Sequence, residues 1–96
     1  MRDEDMMRDE EILARLTAIV REVIDDPAIV LSTDTCAGDV AGWDSMNHIA
    51  IVVEAECRFG VDFAMEELAA LRRVGVLLRR IAQRRRDHPP DLATAA

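Results

Sequence analysis

From Asp9 onward the chain repeats aliphatic residues at helical spacing, and this constrains the fold more than any other feature. Ile12, Leu13, Leu16, Ile19, Val20, Val23 and Ile24 fall at i, i+1, i+4, i+7, i+8, i+11 and i+12, one continuous helical stripe. Asp9, Glu10 and Glu11 sit in its first turn, where acids favour the helix dipole. Asp25-Asp26-Pro27 ends it, because the residue before proline is pushed away from helical angles. A second stripe, Val74, Leu77, Leu78 and Ile81, predicts a final helix to about Arg86, broken by His88-Pro89-Pro90.

Between these stripes, residues 27–44 contain a proline, two glycines and scattered Ser, Thr and Asp, which predicts a long loop. Ile29, Val30 and Leu31 are expected to pin part of it to the core, and Thr33-Asp34-Thr35 to make a short turn. A helix is predicted from about Ser45 to Arg58, with Met46, Ile49, Val52, Val53 and Phe59 on its buried side and Ile51 flanking. Gly60 stops it and can take a left-handed C-terminal conformation. Phe59-Gly60-Val61-Asp62-Phe63 then crosses over as extended chain, and Met65 to Leu71 reads as a short third helix with Leu68 and Leu71 inward.

With 96 residues there is chain for one core, not two. Only Trp43, Phe59 and Phe63 are aromatic, so that core is aliphatic, which suits helix on helix better than a β-sandwich. The expected fold is all-α, a small four-helix bundle with a long first loop and a short third helix. It spans residues 9–86, with flexible ends at 1–8 and 87–96.

The net charge of −7 is unevenly spread. Residues 1–44 hold twelve acids and four arginines, residues 45–71 five acids and one arginine, and residues 72–96 seven arginines and two acids. An acidic body with a basic tail is poorly suited to nucleic acid, which needs cations over the contact face. It suits docking onto positively charged protein surfaces. No apolar run approaches the roughly 20 residues of a membrane span. The start, Met1-Arg2-Asp3-Glu4-Asp5, is too acidic for a signal or transit peptide. Cys36 and Cys57 form no metal-ligand spacing, so no metal site is expected. A monomer in the reducing cytoplasm, without nucleic-acid or membrane partners, is the expectation.

The chemistry-bearing segment is Gly42-Trp43-Asp44-Ser45-Met46-Asn47-His48-Ile49-Ala50-Ile51-Val52. It sets a serine, with an aspartate directly before it, where a loop enters an apolar helix. On the residues alone, Asp44 or Ser45 is an ordinary N-cap, since both types are preferred there. The Asp-Ser-Met triplet, the Ile-x-x-Val run and Phe59-Gly60-Val61-Asp62-Phe63, in this order within this layout, resemble the acyl carrier proteins. The resemblance covers roughly residues 9–86. It implies that Ser45 carries 4′-phosphopantetheine donated by coenzyme A through a phosphopantetheinyl transferase. The terminal thiol of that arm would hold acyl groups for loading and transferring enzymes, and the chain itself would not be an enzyme. A helix N-terminus suits the attachment, because its unpaired N–H groups and positive dipole end tolerate a phosphodiester. Asp44 adds an acid that can hold basic groups of the transferase.

Carried over residue by residue, the family's docking surface falls on Asp44, Met46, Ala50, Val53 and Glu54. This chain departs from the fatty acid synthesis type, which is more acidic along the second helix, where Asn47, His48 and Arg58 dilute the charge. The arginine-rich last helix is also atypical. Both points argue against that type, and Gly42-Trp43-Asp44-Ser45-Met46-Asn47-His48-Ile49 looks more like discrete carriers of polyketide or related secondary pathways. A peptidyl carrier is an alternative within the fold, although Gly42-Trp43 fits its Gly-Gly-His/Asp-Ser approach less well. A never-modified helical adaptor, with Arg72-Arg73, Arg79-Arg80 and Arg84-Arg85-Arg86 as a basic face, is the alternative from another class.

Ser45 and His48 do not make a hydrolytic triad, being three apart on one helix without a nucleophile elbow or oxyanion site. His48 is expected at the surface. Trp43 is expected to cover the end of the bundle, or to meet a transferase or loading enzyme. Cys57 is expected near the buried edge of the second helix, and neither cysteine is expected to have electropositive neighbours. Glu54, Glu56, Glu66 and Glu67 read as a solvated face.

Overall fold

The first helix forms where the aliphatic stripe begins. A computed structural model describes residues 8–87 and places α1 at Asp9–Ile24, α2 at Ser45–Phe59 and α3 at Val74–Asp87. The expected flexible ends lie outside the described residues, except Arg8, the N-cap of α1, and Asp87, the last residue of α3. Helix α1 packs on both α2 and α3. Ile12, Leu16, Ile19 and Val20 are buried, with Leu13, Val23 and Ile24 partly so. Asp25, rather than the residue before proline, ends the helix. It sits in the left-handed region at φ 66° and its N–H donates to Arg21 O. Aspartate tolerates that region better than most residues do.

The long first loop is tied down in steps. Arg21 Nε donates to Ile29 O at 2.7 Å, and Ile29 and Leu31 are buried. Val30, expected inward, is 78% exposed, since extended chain turns successive side chains to opposite sides. Thr33 and Asp34 form the expected turn, and a 3₁₀ turn at Ala37–Asp39 follows. The carbonyls of Thr35 and Thr33 accept from the N–H groups of Val74 and Gly75 at 2.9 and 3.1 Å. The loop thereby caps α3, whose first-turn donors have no partner within the helix. Gly75 permits the approach, because a Cβ there would stand 2.6 Å from Thr33 O.

Helix α2 ends at Gly60, in the left-handed region at φ 69°. The crossover from Val61 is non-helical, as expected, but Met65 to Leu71 is not one helix. Two 3₁₀ turns stand there, Met65–Glu67 and Ala70–Arg72, with Leu71 buried and Leu68 half-buried. Glu67 explains much of this shape. Its Oε2 accepts from Ala64 N at 2.9 Å, and the carboxylate also takes Arg80 at 2.8 Å and Arg84 at 2.9 Å. A side chain clamped in this way holds the segment to α3 without a continuous helical ladder. Val74, Leu77, Leu78 and Ile81 are all buried, as their spacing predicts. The fold is thus the expected small all-α bundle, with the short third helix replaced by 3₁₀ turns.

Arg80 and Arg84 take Glu67, Arg84 also donates to Asp62 O and lies over the Phe63 ring, and Arg85 donates to Phe59 O. Arg85 thereby satisfies a carbonyl at the C-terminal end of α2, where the dipole favours a cation. Among the described residues, no helix is long and apolar enough to cross a membrane, and no cluster of His, Cys, Asp and Glu could hold a metal ion.

Candidate functional site

Ser45 is the first residue of α2 and is exposed. Asp44 is the N-cap, in extended conformation, and its Oδ1 accepts from Asn47 N at 2.8 Å. Its carbonyl accepts from His48 N at 2.8 Å. The Asn47 side chain reaches back and donates to Gly42 O at 2.8 Å. These bonds leave the N–H groups of Ser45 and Met46, among the described residues, pointing out of the helix start beside the serine hydroxyl. The backbone reaches this geometry through Gly42 at φ 91°, packed so closely on α1 that a Cβ would stand 2.8 Å from Ile24 Cγ2. An exposed hydroxyl next to free donors at a positive dipole end fits a phosphodiester-linked group.

Beneath the serine lies a polar bridge. Trp43 and His48 are 4% and 3% exposed. Trp43 Nε1 donates to His48 Nδ1 at 3.0 Å, and His48 Nε2 stands 2.8 Å from Leu68 O. Indole N–H is only a donor and a carbonyl only an acceptor, so the imidazole is neutral with its proton on Nε2. Burial lowers the His48 pKa below 6.5; the Leu68 carbonyl opposes that shift and Arg72 adds to it. His48 is therefore a core residue and not the surface residue its polarity suggested. Trp43 covers the end of the bundle, as expected.

The outward side of α2 is the largest correction. Met46, Ile49 and Val53, expected in the core, are 77%, 51% and 50% exposed, and Ala50 and Cys57 are exposed beside them. The buried positions are His48, Ile51, Val52, Ala55 and Phe59. Asp44, Met46, Ala50, Val53 and Glu54 are thus brought to one accessible side. Arg58 bridges Glu54 at 3.0 Å and Glu22 of α1 at 2.7 Å, and both bonds raise its pKa. Glu56 accepts from Phe63 N, and Glu67 forms the clamp described above, so neither is merely solvated. Arg73 Nη1 stands 3.9 Å from Cys36 Sγ, so Cys36 does have a cationic neighbour.

The family model for the phosphopantetheine attachment site matches residues 14–81. The chain belongs to the acyl carrier protein family. Among its relatives, the meromycolate extension acyl carrier protein of Mycolicibacterium smegmatis is 33% identical over 86 residues, covering 90% of this chain and 86% of that one. The acyl carrier protein of Rhodococcus erythropolis is 38% identical over 66 residues, 69% of this chain and 72% of that one. The solution structure of holo acyl carrier protein from Geobacter metallireducens superposes with a TM-score of 0.69 at 38% identity, covering 76% of this chain and 84% of that one. The group this carrier takes is covalently attached 4′-phosphopantetheine. Acyl carriers are substrates of phosphopantetheinyl transferases and of acyl-handling enzymes, not catalysts in themselves.

Proposed function

We propose that Ser45 is the attachment residue, and that this carrier presents acyl groups to its partner enzymes through the outward side of α2. The observation that carries the reading is an exposed serine hydroxyl beside the free N–H groups of a helix start, inside the segment the family model spans. When attached, the arm supplies a terminal thiol that holds acyl groups as thioesters. The chain's own residues cap the helix through Asp44, fix the approach through Gly42 and Asn47, and keep the serine in solvent. Asp44 and Glu54 flank an apolar centre of Met46, Ala50 and Val53, with Ile49 adding to it. This pattern suits a partner with basic groups around an apolar patch.

A polyketide or related secondary-metabolite pathway is the finer reading. It rests on the low acidity of the outward face, where Asn47 and Arg58 stand among few acids. His48 no longer supports it, being buried and neutral. The matched relatives named for meromycolate extension make long-chain acyl loads the competing reading within the family.

The test is intact-mass measurement after incubation of the full chain with coenzyme A, Mg²⁺ and a broad-specificity transferase. Wild type should gain one phosphopantetheine and Ser45→Ala none, with unchanged helical content. A wild-type mass that stays unchanged with several active transferases sinks the Ser45 assignment. Acyl groups recovered by mass spectrometry from carrier purified in its native host separate short-chain from long-chain loads.

A further inference from the structure

Trp43 and His48 bracket the serine, two positions before it and three after it, yet both side chains are buried. We propose that His48 is a positioning residue for the modification of Ser45, holding the Gly42-Trp43-Asp44 approach in place through its bond to the Trp43 indole, with Leu68 O fixing the tautomer that can accept that bond. The inference rests on the Ser45 assignment and deepens it.

Three observations point the same way. The approach segment turns through a left-handed Gly42, whose carbonyl accepts from Asp44 N and the Asn47 side chain. Besides the indole's bond, the segment's other hydrogen bonds are Trp43 N to Val40 O and those that the Asp44 carbonyl and carboxylate accept from His48 N and Asn47 N. Of these hydrogen bonds, the indole's is the one made to a buried side chain, and Leu68 O, twenty positions along the chain from His48, holds the imidazole that accepts it. A buried polar group is costly unless it is paired, so an imidazole with both nitrogens engaged is either a fixed tie or a defect. Here both bonds have good lengths, 3.0 and 2.8 Å. An apolar residue in its place would pack but would release the indole N–H and the Leu68 carbonyl. Fixing a reacting hydroxyl relative to its helix is the kind of contribution that positioning makes to rate.

The experiment compares His48→Leu, His48→Asn and Trp43→Phe with wild type in steady-state conversion of the full chain from coenzyme A. His48→Asn places an amide oxygen where Nδ1 stands, so it can still accept from Trp43. His48→Leu and Trp43→Phe should lose about three- to tenfold in kcat/KM, the range one ordinary hydrogen bond spans. His48→Asn should return to within about twofold of wild type, as expected if the indole bond is what matters. Trp43 is the only tryptophan, so its indole N–H resonance reports the bond directly. That resonance should shift in His48→Leu and stay near its wild-type position in His48→Asn.

Equal kcat/KM in all four proteins overturns the proposal, even if melting temperatures differ. So does a loss in His48→Asn as large as that in His48→Leu, because that pattern marks a purely structural role. If His48→Leu loses its helical signal, Trp43→Phe against His48→Asn carries the comparison, because the phenyl ring keeps most of the packing. Failure of the Ser45 assignment looks different: wild type itself then gains no mass.

Discussion

The inward and outward faces of α2 have the same spacing, two residues out of step. His48, Ile51, Val52, Ala55 and Phe59 run at i, i+3, i+4, i+7 and i+11 and are buried. Met46, Ile49, Ala50, Val53 and Cys57 run at the same intervals and are exposed. By hydropathy the outward face is as good a core as the inward one. What separates them is the polar member: His48 is the residue that finds partners on both ring nitrogens when turned inward. The outward set is left as an apolar strip beside the serine, where a small carrier needs a surface that others can bind.

The sharpest test of this difference is truncation on each side. Phe59→Ala should cost about 3–5 kcal/mol in denaturant unfolding, because Phe59 is fully buried and its loss leaves a cavity. Ile49→Ala, equally apolar by sequence, should stay within about 0.5 kcal/mol. Similar losses for the two would mean that the faces have been assigned the wrong way round.

The sequence made α1 and α3 legible because each has one stripe and a polar remainder. The place of Ser45, exposed at a helix start, was legible for another reason: Asp-Ser at a loop-to-helix junction is a chemical pattern that does not depend on helix phase. Helix α2 was misread because two stripes compete and the deciding residue is a histidine, which composition-based reading sends to the surface. The 3₁₀ turns were read as a helix because Leu68 and Leu71 fit helical spacing. The clamp that shapes them joins Glu67 to Arg80 and Arg84 on a different helix, and no local pattern announces it. Cys57 followed the misassigned phase of α2.

Glu67 pins the segment that meets the inward face at Leu68, so it tests that face from the other side. Hydrogen bonds from Arg84 first, then Ala64 N and Arg80, hold its pKa down to about 2 from 4.5. A depressed carboxylate contributes stability that is complete above its unfolded value and is lost as pH falls through the folded one. Wild type should therefore lose stability between about pH 4.5 and 2 through this group. Glu67→Gln should lower unfolding free energy at pH 7 by about 1–2 kcal/mol, reduced from the full value of a charged hydrogen-bond cluster because solvent still reaches the site. An acid-unfolding curve identical to wild type would remove Glu67 as the clamp.

His48 makes the inward face sensitive to pH closer to neutrality. Its pKa lies below 6.5, chiefly through burial, so the neutral form is the folded form. Protonation would put a hydrogen on Nδ1 directly against the Trp43 N–H. The sign is that of a depressed group: the contribution is complete above about pH 6.5 and declines as pH falls through the lowered value. The decline is at most about 1.4 kcal/mol per pH unit for one proton. It should appear in thermal melts together with a shift of the indole resonance, and be absent from His48→Asn. A melt that is flat from pH 7 to 5 in both proteins would show that the bridge does not respond to protonation.

The outward face should respond to a charge change in rate and hardly at all in stability. Glu54 stands at the edge of the apolar strip and is held by Arg58, which also takes Glu22. Glu54→Arg removes one acid and sets two arginines a helical turn apart, a mild repulsion at an exposed position. Arg58 keeps its bond to Glu22, so the melting temperature should move little. A partner with basic groups around the strip loses steering, so its association slows by roughly a few-fold at low salt. Raising ionic strength past the point where the Debye length is about 8 Å should shrink the gap, because screening removes the wild-type advantage. Conversion by a broad-specificity transferase, measured for both proteins across a salt series, reads this directly. Parallel salt curves would leave the apolar strip to account for docking without help from Glu54, and the contrast between the faces would then be one of burial alone.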